Sequence, residues 1–146
     1  MWKRCLHLLP LLVTTVLAEG GNSPVGRWKT VDDETGRAKS IVRLFIENNE
    51  LKGVVDSLIP QPDRPPDPVC EKCTGDRKGK RVRDMTILWG MHKNGSTWEG
   101  GRVLDPNNGK IYRCKITVAG NRKSLTIRGF IGFSLLGRSQ NWERME

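Results

Sequence analysis

Two cysteines three apart, one late cysteine and a single histidine are the residues after position 18 most able to do chemistry in this chain. Cys70 and Cys73 form a CxxC pair. That spacing lowers one thiol's pKa when the pair opens a helix or faces cations. Lys72 and Arg77 supply cations, but no strand–helix pattern surrounds the pair. A tetrahedral zinc site needs four ligands, and Cys70, Cys73, Cys114 and His92 are the only soft candidates after residue 18. One CxxC without a second therefore reads as a structural disulfide, ahead of redox or metal chemistry, and no metal or cofactor is expected. Catalysis has little to stand on. His92 has no serine or cysteine close by in sequence to make a dyad. Glu99 stands apart, and Asp105 falls in a turn motif where its carboxylate serves backbone amides. No phosphate loop or dinucleotide fingerprint occurs. The chain is not expected to be an enzyme.

A second chemical feature is charge. Residues 77–83 hold five cations among seven positions. Nucleic-acid binders interleave such charge with stacking aromatics, and none lies in this run, so nucleic acid is not the expected partner. An anionic envelope surface remains open, as does the plainer reading of a solvated loop. The whole chain carries a net charge of +9.

The elements that position these residues follow from period-two patterning. Between Lys110 and Ala119, Tyr112, Cys114, Ile116 and Val118 share one face, while Arg113, Lys115 and Thr117 share the other. Residues 41–47 bring Val42, Leu44 and Ile46 together, and residues 124–131 align Leu125, Ile127, Gly129 and Ile131. Hairpin punctuation separates such runs: Asp33 to Gly36, Asn48-Asn49, Asn94-Gly95, Asp105 to Gly109 and Gly120-Asn121. Eight strands result, centred on Trp28, Leu44, Val54, Leu88, Trp98, Cys114, Ile127 and Asn141. No amphipathic helix is expected. One long connection, residues 60–83, holds five prolines, the cysteine pair and the basic run. Proline cannot continue a sheet, so this is an exposed loop. Gly100-Gly101, Gly129, Gly132 and Gly137 mark either bends that close a small barrel or room left for a ligand.

Residues 1–18 have the pattern of a cleavable signal peptide: Lys3-Arg4, an apolar stretch to Leu17, and Val16-Leu17-Ala18. The stretch is about a dozen residues, short of the roughly 20 that span a bilayer. The mature chain, 19–146, is then expected to be one exported domain, periplasmic or secreted, with no membrane span. Its 128 residues (146 minus 18) are enough to bury a self-sufficient core. Losing Lys3 and Arg4 leaves +7 (9 minus 2), which favours anionic partners. Export permits a disulfide. A Cys70–Cys73 bridge closes a tiny loop worth about 2 kcal/mol, whereas a bridge to Cys114 closes a long one worth about 4 kcal/mol. Proximity favours the first and entropy the second.

Gly26-Arg27-Trp28 opens the patterned region, and Gly137-Arg138-Ser139-Gln140-Asn141-Trp142-Glu143-Arg144 ends it. In a closed antiparallel barrel with an even strand count these ends are neighbours. Trp28 and Arg144 are expected to stack as a cation–π contact of about 0.5–2 kcal/mol. Residues 26–33, Cys70 to Cys73, Gly101 to Cys114 and Arg128 to Ser139 occur in an order that resembles the bacterial family known as domain of unknown function 2147. The resemblance covers nearly all of the mature chain. It implies a lipocalin-like barrel, an envelope or secreted location, and structural roles for Trp28 as floor tryptophan and Arg144 as its covering arginine. It implies no established activity. One departure is Asp84, which stands where members of that family tend to have glycine before an apolar strand.

These readings combine into an all-β, eight-stranded, antiparallel, lipocalin-like up-and-down barrel. It is expected to bind a small apolar or amphiphilic molecule, with an anionic head as the favoured form. Arg138, Gln140 and Trp142 share a face with Arg144. Arg138, Gln140 and Tyr112 are the expected polar anchors, and Leu44, Trp89 and Trp98 the apolar lining. Burying roughly 300 Å² of apolar ligand area gives about 7 kcal/mol gross, and association costs at least about 4 kcal/mol. A charge-assisted hydrogen bond of about 1.5–3 kcal/mol therefore matters. The alternative is a solid-core envelope protein, its interior filled by Phe45, Trp89, Trp98 and Tyr112. It would act through its outer surface and the 60–83 loop on a protein or anionic partner.

Overall fold

The computed structural model describes residues 22–132 and 137–145; the signal peptide expected at 1–18 lies outside the described residues. Eight antiparallel strands follow one another around a closed barrel. They are β1 (Gly26–Val31), β2 (Ala38–Glu47), β3 (Glu50–Leu58), β4 (Thr86–Asn94), β5 (Thr97–Asp105), β6 (Lys110–Val118), β7 (Ser124–Phe130) and β8 (Gly137–Arg144). All eight expected strand centres fall inside these spans. Closure comes from β1 pairing with β8, Trp28 opposite Arg144 and Lys29 opposite Glu143. The sole helical element among the described residues is one 3₁₀ turn, Gly75–Arg77.

Turn chemistry sets the registers. Asn48 and Asn49 both adopt left-handed backbone, φ 52° and 63°, as a two-residue hairpin requires. Asp32 accepts the amides of Glu34 and Thr35, both at 2.9 Å, and so orders the β1–β2 loop. The amide of Thr35, more than any other group, holds the Asp32 carboxyl below its ordinary range. Gly100 takes φ +84° at a register shift between β5 and β6. A Cβ on Gly101 would lie 2.2 Å from the Trp89 carbonyl oxygen. This glycine pair thus makes a bulge and a close strand approach.

The barrel has two unlike ends. The β2–β3, β4–β5 and β6–β7 turns gather with the start of β1 and the end of β8 at one, the floor. The β1–β2, β3–β4, β5–β6 and β7–β8 connections gather at the other, the mouth. From the floor through the middle the interior is packed. Trp28, Val42, Leu44, Leu51, Leu88, Met91, Ile116 and Leu125 are fully buried, and Trp142 is 3% exposed. Each large apolar side chain buried in this way contributes about 1.5–3 kcal/mol. Cys114 lies between Gly101 and Gly129 in register and points inward, its thiol 3.3 Å from Met91 Sδ.

The long connection is folded onto the barrel. Cys70 and Cys73 form a disulfide and Cys114 stays free. Val69 and Arg81 make a β-bridge. The Lys72 carbonyl presses so close to Gly109 that a Cβ there would meet it at 2.0 Å. The long bridge favoured by entropy does not form, because Cys114 faces the interior while the pair sits against the β5–β6 turn. Asp84 has φ +66°, the left-handed region that favours glycine. Its departure from the family pattern therefore falls at a backbone position suited to the residue it replaces.

Two expected interior residues lie outside. Leu88 pairs with Gly53, where a Cβ would strike Leu44 and Leu88, so Leu88 points inward and Trp89 outward. Trp89 pairs with Arg102 and lies under the Arg77 guanidinium at 4.5 Å. Phe45, opposite Lys52, is covered on the outer face by Arg43 at 4.7 Å. The outer wall also carries Lys29–Glu143, Lys52–Glu47 and Lys115–Glu99 ion pairs. Charges on a lipid-facing wall cost up to about 2–4 kcal/mol each, so this wall faces water. No helix of the described residues is long and apolar enough to cross a membrane.

Candidate functional site: a sealed floor and a polar mouth

The floor is closed by the two motifs at the ends of the domain. Trp28 is fully buried and donates from Nε1 to the Pro24 carbonyl at 2.8 Å. The Arg144 guanidinium lies 4.2 Å from the Trp28 ring centroid. It also donates to three carbonyls: Arg122 at 2.6 Å, Val25 at 3.0 Å and Ser23 at 2.8 Å. Desolvation lowers its pKa from the ordinary arginine range. Gly26 leaves space for this arrangement, since a Cβ there would sit 2.8 Å from Arg144 Nη1. The expected lid is present, and it ties β1, β8 and the β6–β7 turn together.

The mouth is built from three connected elements. Arg138 is opposite Gly129 and Gln140 opposite Ile127, which puts both on the face shared with Trp142. Arg138 pairs with Asp33 at 3.2 Å and reaches Asp105 at 4.0 Å. Gln140 donates to the same Asp33 oxygen at 2.9 Å and accepts from Trp142 Nε1 at 3.3 Å. Across the opening, Asn108 donates to the Tyr112 hydroxyl at 2.9 Å. Gly129 leaves room beside Tyr112, whose Cβ would lie 3.5 Å from a Cβ on that glycine. Leu58 and Val103, half-buried, supply apolar surface at the top of the core.

The structure thus brings together Tyr112, Arg138 and Gln140 and separates the other three expected lining residues. Leu44 is opposite Gly26, at the floor end of β2, inside packed core. Trp98 starts β5 at the floor end and is buried. Trp89 is outside. Asp33, Asp105 and Asn108 were legible only as turn formers. Their turns sit at the mouth, so the same residues shape the loops and face Arg138 and Tyr112. Asp105 shows the double role, accepting the Asn107 amide at 2.9 Å while facing Arg138. Two concavities of about 470 and 410 Å³ lie on the outer surface, one on the 76–86 segment and one over β5–β7. No group of three metal-ligating side chains occurs among the described residues. Burial pushes the Cys114 thiol up to about 12, so it is a packing residue at neutral pH.

Residues 26–144 match a family described as an uncharacterized protein conserved in bacteria, DUF2147. The chain belongs to this family. The match begins at Gly26 and ends at Arg144, the span from the floor tryptophan's motif to its covering arginine. Comparison with curated proteins finds no match. Among solved structures, the chain is similar to protein HP1028 from the human pathogen Helicobacter pylori, described as belonging to the lipocalin family. The two share 16% identity at a TM-score of 0.70, over 85% of this chain and 84% of that one. At that identity the likeness concerns the fold, a lipocalin-like barrel.

Proposed function

We propose that this DUF2147 protein is an exported, non-catalytic binder that takes a small amphiphile with an anionic head at the barrel mouth. The observation that carries this reading is the inward-facing set Tyr112, Arg138 and Gln140 above a packed core. Arg138 is 66% exposed and its pair with Asp33 is a surface one. Such pairs are worth about 0–1 kcal/mol, so an anionic group can displace Asp33 at little cost. A charge-assisted hydrogen bond to the guanidinium then contributes about 1.5–3 kcal/mol. Leu58, Val103 and the Tyr112 ring are placed to meet a short apolar part. The packed interior restricts how deep that part reaches, so binding rests on Arg138 and is weaker than about 10 μM.

The disulfide supports an exported setting, since such bridges persist in oxidising compartments. Small apolar or amphiphilic molecules are the proposed partners; no nucleic acid, metal or cofactor is part of this reading. The experiment is a titration of delipidated, refolded mature chain with decanoate, followed by tryptophan fluorescence. Saturable binding that weakens at least fivefold in Arg138→Ala is expected. No saturation up to about 5 mM, or equal binding by the variant, would remove the reading. The filled floor and middle favour a second reading, in which the barrel is a solid scaffold acting through its outer surface. It gains if decanoate fails and the 60–83 loop is needed for retention by an envelope fraction.

A further inference from the structure

The segment that follows the disulfide forms a concavity separate from the mouth. It has a volume of about 470 Å³ and is lined by Asp76, Arg77, Lys80, Arg81, Arg83 and Asp84, with Met85 and Thr86 also in the lining. Four cations against two carboxylates leave a lining charge of +2 (4 minus 2). Arg81 pairs with Asp67 at 2.8 Å. Lys80 and Arg83 have no carboxylate within 4.0 Å among the described residues. Two cations without a close ion-pair partner thus line one recess.

The recess is held in shape. The Cys70–Cys73 disulfide ties the short turn that precedes the lining segment. The Cys70 amide donates to the Lys80 carbonyl at 2.8 Å and the Gly79 amide to the Cys70 carbonyl at 2.9 Å. Val69 bridges Arg81, and Val82 donates to the Pro68 carbonyl at 3.0 Å. Arg77 is fixed over Trp89 at 4.5 Å. A basic run in a free loop must lose conformational freedom before it grips an anion. Here the backbone is already ordered, which removes part of that cost. Guanidinium groups offer forked donors that match the oxygens of phosphate, and the balance of charge at the recess stays positive after Asp67 has neutralised Arg81.

We propose that this recess is a phosphate-binding site, with Lys80 and Arg83 as its principal ligands, Arg77 and Arg81 flanking them, and Thr86 within the lining. The phosphate is carried either by a free phosphorylated small molecule or by a lipid headgroup. Two probes separate these sources. The first is pyrophosphate, titrated into the disulfide-intact chain at constant ionic strength of about 0.1 M and followed by the indole resonance of Trp89. The second is co-sedimentation with phosphatidylglycerol vesicles in about 0.3 M salt, where diffuse surface attraction is screened.

Saturable pyrophosphate binding at or below about 1 mM, weakened at least tenfold in Lys80→Gln/Arg83→Gln, supports the site and a soluble ligand. Vesicle binding lost in the same variant, and absent with phosphatidylcholine, supports the site and a lipid source. Thermal melts of the variant check that the barrel is intact; both residues are exposed, so the midpoint should shift by less than about 2 °C. Failure of both probes overturns the proposal. So does equal binding by the variant, or equal binding of sulfate at matched ionic strength. The mouth titration is scored separately, on Arg138, so either site can fail without the other.

Discussion

Removing the Arg144 side chain should weaken the barrel at its floor. The guanidinium makes three hydrogen bonds to carbonyls and one contact over the Trp28 ring. Hydrogen bonds to a charged group are worth about 1.5–3 kcal/mol when shielded, and a cation–π contact about 0.5–2 kcal/mol. Arg144 is half-buried, the freed carbonyls regain water, and the contributions do not add fully. Those discounts bring Arg144→Ala to a loss of about 2–4 kcal/mol. Arg144→Lys keeps the charge but not the planar fork, and should lose about half as much. For a domain of this size each kcal/mol lowers the melting midpoint by roughly 3–5 °C. Urea unfolding with an unchanged m value, together with calorimetry, reads both variants. A loss below about 0.5 kcal/mol for Arg144→Ala would refute the reasoning. So would Arg144→Lys matching alanine, since the argument depends on the charged group spanning three carbonyls and one ring.

Asp84→Gly should stabilise the chain by about 0.5–1 kcal/mol in urea unfolding, because it relieves a left-handed backbone at φ +66°; destabilisation would show that the Asp84 side chain makes a compensating contact. Cys114 should resist a thiol reagent at pH 8 in the folded chain and react fully in urea, since its thiol is pushed up to about 12; fast native labelling would contradict the packed interior. Asp32, held below the ordinary value of 3.8 by loop amides, stabilises the fold above that value. Its contribution disappears as pH falls through its lowered native pKa. Asp32→Asn should therefore be less stable than the parent at pH 7 and converge with it in acid; a difference independent of pH would remove the charge from the explanation.

The fold was legible because most strands are covered on one side only. β6 alternates cleanly, with Cys114, Ile116 and Val118 buried and Arg113, Lys115 and Thr117 exposed. Polar turns at Asn48-Asn49 and Asp105 to Gly109 fixed where strands reverse. The floor was legible because an even strand count makes the chain's ends neighbours, and Trp28 and Arg144 stood at those ends. β4 defeated the same reasoning. Ile87, Leu88, Trp89 and Met91 are apolar on both faces because the long connection covers the outer wall there, and Gly90 at φ +68° breaks the alternation. Trp89 therefore looked like lining. Leu44 and Trp98 were placed on the correct face but at the wrong depth; periodicity reports a face, and only strand direction reports height above the floor. The disulfide needed the fold itself, because loop entropy ranks pairings without knowing that Cys114 points into the barrel.

The claim that a ligand is taken at the mouth above a filled core is tested most directly by residue-resolved amide shifts during a decanoate titration. The account predicts saturating shifts at Tyr112, Gly129, Arg138 and Gln140, with Trp28, Leu44, Leu51 and Ile116 unmoved. Shifts centred on those floor residues would reveal a deep lumen, and an unchanged spectrum at millimolar decanoate would leave the barrel without the function proposed for it.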